Sequence, residues 1–431
     1  MRGASLMMIA AIIVFTIAYI LIASERINRV AASLAGAGVI LAIGVMGPDD
    51  AFFSQETGID WNVIFLLFGM MVIVGVLRQT GVFEFVAIWA AKRAKGKPFR
   101  VMTLLCLITA LASAGLDNVT TVLLIAPVTL LVCEKIGVRP VPFLIAEALA
   151  SNIGGTATLV GDPPNLIVAS RSGLTFNDFL VNLAPIVVVM MIAFVALSRF
   201  LFRKDFTADP DQVAEVMKLD EREAIQDPSL LVRSLIVLAL VLTAFTLHGV
   251  LHLEPSVVAL LGAGVLIAIS GLRPQSYLVD IEWETLLFFA GLFLLVGSLV
   301  KTGVIGHLAD GLVAATGDSL PTAMMLLLWG SAALSAIIDN IPFVATMAPV
   351  VDQLVNGDGP FKGQNGLWWA LLLGADLGGN ATAIGASANV VVTGISKKNG
   401  HPISFWEFTR YGSVVAVVTL AIATPYLLLR Y

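Results

Sequence analysis

Charge, cysteine and histidine are all scarce in this chain. Lys, Arg, Asp and Glu make up 13% of 431 residues, too few to cover the surface of a soluble protein of this size. The two cysteines, Cys106 and Cys133, stand apart inside apolar runs, which excludes a disulfide framework and a thiolate metal site. The four histidines, His248, His252, His307 and His401, fall at the ends of predicted helices. No nucleophile–base pair or metal cluster emerges, so neither an enzyme nor a cofactor is expected. The glycine-rich run 154–161 has no Walker lysine after it and no strand–helix unit around it, so a bound nucleotide is not expected, nor is a nucleic-acid partner. What remains is apolar: 58% hydrophobic residues and a mean hydropathy of +0.94. Windows of ~20 apolar residues, enough for a helix to cross a bilayer, recur along the chain. The fold class is an all-α polytopic membrane protein. The first run, 4–22, has no small-residue cleavage site and leads straight into a second, so it reads as a spanning helix rather than a signal peptide.

The chain repeats itself. Leu116-Asp117-Asn118 with Ala126-Pro127 recurs 222 residues later as Ile338-Asp339-Asn340 with Ala348-Pro349, and Trp61, Gly69, Gly75 and Gly81 recur as Trp283, Gly291, Gly297 and Gly303. A second run repeats at an offset of 224: Gly154-Gly155, Thr158, Gly161 and Asn165 map onto Gly378-Gly379, Thr382, Gly385 and Asn389. The first repeat, 1–202, reads as spans at 4–22, 28–46 and 60–79, then a basic amphipathic stretch, a hairpin at 98–137, a broken helix at 142–170 and a last span at 179–202. The arms of that hairpin, 101–116 and 119–133, are short for a bilayer, which predicts a re-entrant hairpin with Asp117-Asn118 at its tip. Glycines and Pro163-Pro164 interrupt the helix at 142–170, predicting an unwound middle. The second repeat, 230–431, follows the same plan, with a hairpin at 320–356 and a broken helix at 366–396. In all, about ten spanning helices, two hairpins and two broken helices are predicted. Five spans and a returning hairpin give an odd number of crossings, so the second repeat is expected to be inverted.

Residues 203–229 form the one long polar segment and read as a solvated cytoplasmic linker. On this topology twenty Lys and Arg residues fall on one side and only Arg2, Arg171, Lys301, Lys362 and Arg430 on the other. The crowded side is then cytoplasmic, which places both termini outside the cell and the chain in the plasma membrane.

The two tips and two breaks gather the polar residues of the membrane interior, where an ionisable side chain is a functional candidate by default. The first tip offers Asp117, Asn118, Thr120 and Thr121, and the second Asp339 and Asn340. The first break offers Ser151, Asn152, Thr156, Thr158, Asp162 and Asn165; the second offers Asp376, Asn380, Thr382, Ser387 and Asn389. These carboxylate, amide and hydroxyl oxygens suit a proton or a hard cation, with Na⁺ at Asp117, Asn118, Asn152, Asp339, Asn340 and Asp376. No Lys, Arg or His lies in these segments, so the acids call for bound cations or protons. The halves differ: Asn152 is answered by Asp376, Asp162 by Ala386, and Thr120-Thr121 by Pro342-Phe343. Glu147, one turn before Ser151, either joins the site or pairs with a neighbouring helix. The patches Gly36-Ala37-Gly38 and Gly262-Ala263-Gly264 suit close packing within the chain or across a dimer.

The stretches LDNVTTVLLIAPVTLLVCE at 116–134 and NIGGTATLVGDPPNLIVAS at 152–170 closely resemble the hairpin and broken-helix signatures of the melanosomal P protein and its bacterial relatives. These belong to the ion transporter superfamily, with the arsenite permeases, the NhaD-type Na⁺/H⁺ antiporters and, more distantly, sodium-coupled dicarboxylate transporters. The resemblance implies a homodimer in which hairpins and broken helices form a transport domain that moves against a scaffold in elevator fashion. The tip ligands would be Asp117-Asn118 and Asp339-Asn340. The dicarboxylate transporters carry Ser-Asn-Thr at their tips, and acids in that place favour handling of protons or cations. The function so implied is export of a small oxyanion or metalloid, arsenite or antimonite, coupled to H⁺. Na⁺/H⁺ antiport is the alternative, followed by sodium-coupled carboxylate transport or a passive anion channel. A soluble ATPase partner would be expected only of an arsenite pump.

Overall fold

The computed structural model describes residues 2–24, 26–206, 217 and 220–431, and within these every regular element is helical. Among the described residues, eighteen helices of ten residues or more fall into two sets of nine. The first holds α1 (Arg2–Ala23), α2 (Arg29–Ala42), α3 (Trp61–Arg78), α4 (Val82–Arg93), α5 (Pro98–Gly115), α6 (Asn118–Ile136), α7 (Val141–Gly155), α8 (Pro163–Ser172) and α9 (Ala184–Leu201). The second holds α10 (Pro228–Thr246), α11 (Pro255–Ser270), α12 (Trp283–Lys301), α13 (Val304–Thr316), α14 (Leu320–Ser335), α15 (Asn340–Asn356), α16 (Gly366–Gly379), α17 (Ser387–Lys398) and α18 (Phe405–Arg430). Each member of the second set answers the one nine places earlier.

Eight of the described helices are long and apolar enough to cross a membrane, or nine if α13 and α14, bent by 117°, count as one. Six of these are among the ten predicted spans and two are the arms of the first hairpin; the other four predicted spans are the short helices α2 and α11 and the two broken helices. The helices α2, α7 and α11 are short and apolar, and α7 and α16 attain spanning length only together with α8 and α17 across their breaks. The arms α5 and α6 have 18 and 19 residues, longer than the apolar runs that predicted them. They continue outward past the apolar core, through Arg100 in α5 and Lys135 in α6. The basic stretch after α3 is the helix α4.

The hairpin tips and breaks form from local chemistry. Pro163 and Pro164 can open α8 because its first amides have no intrahelical partner. The breaks also need glycine. A Cβ on Gly161 would stand 2.3 Å from the Gly155 carbonyl oxygen, and one on Gly154 2.3 Å from that of Ala110. The second repeat has the same crowding: a Cβ on Gly378 would lie 2.4 Å from the Ala332 Cα.

Packing ties the repeats together. Within each, the first hairpin arm packs on the first half of the broken helix, α5 on α7 and α14 on α16. Between them, α6 packs on α17 and α15 on α8, while α2 packs on α12 and α3 on α11. Two interlocked bundles result: a core of α5–α8 with α14–α17, and a frame of α1–α3 with α10–α12. Of the small-residue patches, Gly36 meets Ala18 and Leu295, and Gly262 meets Val241 and Ile73, so both serve contacts within the chain.

The middle of the linker, with Asp209, Asp211, Glu215 and Lys218, lies outside the described residues. Its last part, 220–229, is largely exposed and is also tied to the body of the protein. Gln226 donates its backbone amide to the Thr80 carbonyl at 3.0 Å, and Lys92 on α4 pairs with Glu221. That contact holds the Glu221 carboxyl below its usual range.

Candidate functional site

The repeated Asp-Asn pair divides its work. Asp117 caps α6, accepting the Thr120 amide at 2.8 Å, and Asp339 caps α15, accepting the Ile341 amide at 3.0 Å. Both carboxylates satisfy free amides at a helix start. The asparagines reach across to the breaks. Asn118 Nδ2 donates to Asp162 at 2.8 Å and to Asn152 Oδ1 at 3.2 Å. Asn340 Nδ2 comes from the other repeat and donates to the same Asp162 carboxylate at 3.4 Å. The two tips therefore converge on one acid, which is fully buried.

Asn152 continues the network, donating to Asn380 Oδ1 at 2.9 Å and to Asn389 Oδ1 at 3.0 Å. Repeat symmetry carries these two bonds onto position 376 facing Thr156 and Asn165. Position 376 is an aspartate, with no amide to donate. Asp376 is fully buried; the Thr156 hydroxyl and the Asn340 amide are the donors beside it, but neither of its oxygens accepts a hydrogen bond of ordinary geometry, and Asn165 Oδ1 has no partner either. A carboxylate left so in a dry interior costs several kcal/mol unless a proton or cation joins it. Among the described residues no ion pair reaches Asp162 or Asp376, and no three His, Cys, Asp or Glu side chains gather as a metal site.

Other expected residues are braces. Thr158 donates to the Ala114 carbonyl at 2.5 Å and Thr382 to that of Ala336 at 2.6 Å. Asn165 Nδ2 ties the Gly155 and Thr158 carbonyls, and Asn389 Nδ2 ties those of Gly379 and Thr382. The breaks thus have their exposed carbonyls satisfied by the same residues in both repeats, as unwound backbone at membrane depth requires. Thr156 returns to the Asn152 carbonyl at 2.9 Å. Thr121 is buried with its hydroxyl unpartnered.

Two charged residues join from the frame, and neither was expected. Arg29, at the start of α2, donates to Ser387 Oγ at 2.8 Å and lies 3.8 Å from the Asp339 carboxylate. Ser387 in turn donates to Asp339 at 2.6 Å. Glu282, at the start of α12, accepts the Thr120 hydroxyl at 3.2 Å. The acids at the tips are therefore not wholly without a basic partner, as the motif segments alone implied. The signal for Glu282 was in the sequence, because it answers Asp60 at the repeat offset; Arg29 has no such counterpart. Glu147 does not reach the tips and pairs with Thr129 on α6.

A cavity of about 620 Å³ is lined by residues between Phe52 and Val63 and by Leu159 and Leu166, three residues before and four after Asp162; no residue of the cluster itself lines it.

A family model described as citrate transporter, CitMHS, matches residues 19–374. The chain belongs to that family. An uncharacterized transporter of Mycobacterium tuberculosis is 59% identical over 425 residues, covering 99% of each chain, and the 46 kDa membrane protein of Mycobacterium leprae is 56% identical over 425 residues with the same coverage. The human P protein is 32% identical over 491 residues, which cover 96% of this chain and 59% of that protein. The crystal structure of the Alcanivorax borkumensis YdaH transporter matches with a TM-score of 0.58 at 15% identity, over 85% of this chain and 84% of that one, a likeness of fold alone. The citrate transporter family member described above is thus a multi-pass membrane transporter of the type that includes the P protein.

Proposed function

We propose that this transporter couples movement of a small, oxygen-rich solute to protons, with Asp376 and Asp162 as the proton carriers. The carrying observation is Asp376: buried, with no well-formed hydrogen bond on either oxygen although Thr156 and Asn340 stand beside it; repeat symmetry sets it opposite the Asn165 side-chain carbonyl. A proton on Asp376 gives that carbonyl its missing donor, and removal of the proton makes the site open to a cation or to repacking. The solute class that suits hydroxyls, amides and acids without a free cationic side chain is an uncharged metalloid hydroxide, arsenite or antimonite.

Na⁺/H⁺ exchange is the second reading. It is favoured by the unpartnered oxygens of Asn118, Asn165 and Asp376, which are hard ligands of the kind Na⁺ prefers. Citrate, named in the family's description, carries several negative charges. Here it would face five carboxylates, Glu282 included, and among the described residues one arginine, already engaged by Asp339 and Ser387, so it would need accompanying cations.

The mechanical reading is an elevator. The core of α5–α8 and α14–α17 carries the site, and the frame of α1–α3 and α10–α12 holds it through Arg29 and Glu282, contacts that must break each cycle. A homodimer in the plasma membrane, inverted repeats and termini outside the cell complete the proposal. The open faces at Gly38 and Gly264, where nothing lies within 4 Å of an added Cβ, are suited to close helix contact. The test is reconstitution in liposomes with an internal pH dye and additions of Na⁺, Li⁺, arsenite, antimonite and citrate in turn. Proton movement on arsenite or antimonite supports the leading reading. A response confined to Na⁺ and Li⁺ replaces it with antiport, and solute entry without proton movement refutes coupling.

A further inference from the structure

We propose that Glu147 is a second proton-carrying site, peculiar to the first repeat, on the path between the α7 N-terminus and the tip cluster. The inference rests on the proton-coupled reading above but concerns a different carboxylate and different neighbours. Glu147 is 1% exposed. Its Oε1 accepts the Thr129 hydroxyl, while Oε2 has no partner. No ion pair involves it among the described residues. The titratable groups that face it are the thiols of Cys106 on α5 and Cys133 on α6. The other helices packed on α7, namely α9, α16, α17 and α18, add no charged group beside it.

Its surroundings connect to the tip. Ser113 on α5 donates to the Ser151 carbonyl on α7 at 2.8 Å, and Ser151 Oγ donates to the Asn118 carbonyl at 3.1 Å. Thr109 and Glu147 lie one turn earlier on these two helices, on the same faces. The Thr109 hydroxyl is itself buried and unpartnered. Ser151 Oγ also donates to Ser113 Oγ at 3.2 Å, and hydroxyls both donate and accept, so these side chains line a way for a proton from Glu147 to the tip; the Asn118 carbonyl only accepts and ends the chain, so a water must carry the proton on from Ser151 to Asp162. In that step Glu147 takes a proton from the water at the α7 N-terminus and releases it along the hydroxyls. Thr129 then holds the anion left behind.

The second repeat supplies the control. The counterparts of Thr129 and Glu147 are Val351 and Leu371, both fully buried. The frame therefore needs no polar pair at this place, and a buried acid retained in one repeat points to use rather than support.

The test uses the full-length protein in lipid. The protonated-carboxyl infrared band is titrated with pH, which requires no solute. Glu147→Gln is expected to lose one titrating component that wild type and Asp376→Asn keep, and Glu147→Asp to restore it at a shifted pH. With arsenite as the transport probe, Glu147→Gln should lower accumulation driven by a pH gradient by about tenfold while leaving arsenite-for-arsenite exchange intact. Glu147→Leu with Thr129→Val installs the second repeat's own pair and serves if the single variant folds poorly. The proposal is overturned if that double variant titrates as wild type does. A normal infrared component at Glu147 with no proton flux in wild type would instead count against the coupling reading, and with it the relay role.

Discussion

The side chain at position 376 sets the chemistry of the site because its partner in the first repeat, Asn152, is fully bonded and it is not. Asp376→Asn installs the first repeat's own residue and gives Thr156 and Asn165 an amide to accept from. The variant is expected to be more stable than wild type by about 1–3 kcal/mol, since an unsatisfied buried group is removed; thermal unfolding in detergent measures it, and a fall in stability would contradict the bonding scheme. Much of this cluster was legible beforehand, because Asp117-Asn118, Asp339-Asn340 and both breaks are repeated polar words in apolar text. Their separate duties were not. Whether an aspartate caps a helix or bears the site depends on which amides it meets across the membrane, and local sequence holds no trace of that. Arg29 was missed for the same reason, entering from the N-terminus of a frame helix distant in the chain, whereas Glu282 was within reach of the repeat comparison through Asp60.

At the scale of elements, the breaks are held open by backbone packed on backbone. Gly161 leaves no room for a methyl group beside the Gly155 carbonyl, so Gly161→Ala should cost at least about 2 kcal/mol and deplete folded protein. Fluorescence-detected size-exclusion chromatography of tagged protein gives the yield, and a normal yield would show the break to be more pliant than its packing implies. Gly303→Ala is a useful contrast, since nothing lies near that position and only its left-handed backbone, φ +79°, resists the change. Glycines and prolines announced the breaks in the sequence. The ends of the hairpin arms were less readable, because α5 and α6 continue through Arg100 and Lys135, where hydropathy falls but helix does not.

For the whole molecule, duplication explains both architecture and asymmetry: the same braces recur at Thr158 and Thr382, at Asn165 and Asn389, while the acids at 162 and 376 stand in one repeat each. The proposed orientation is testable with single cysteines, since the two native ones are buried. Lys362→Cys should react with an impermeant maleimide from outside intact cells and Lys397→Cys only in everted vesicles; the reverse pattern would invert the topology. The central claim is that Asp376 carries a proton that moves with the solute, and the most direct measurement is proton flux during solute addition to proteoliposomes holding wild type or Asp376→Asn. The account expects dye-reported flux in wild type and its loss in the folded, thermally stable variant. Undiminished flux through Asp376→Asn would contradict it.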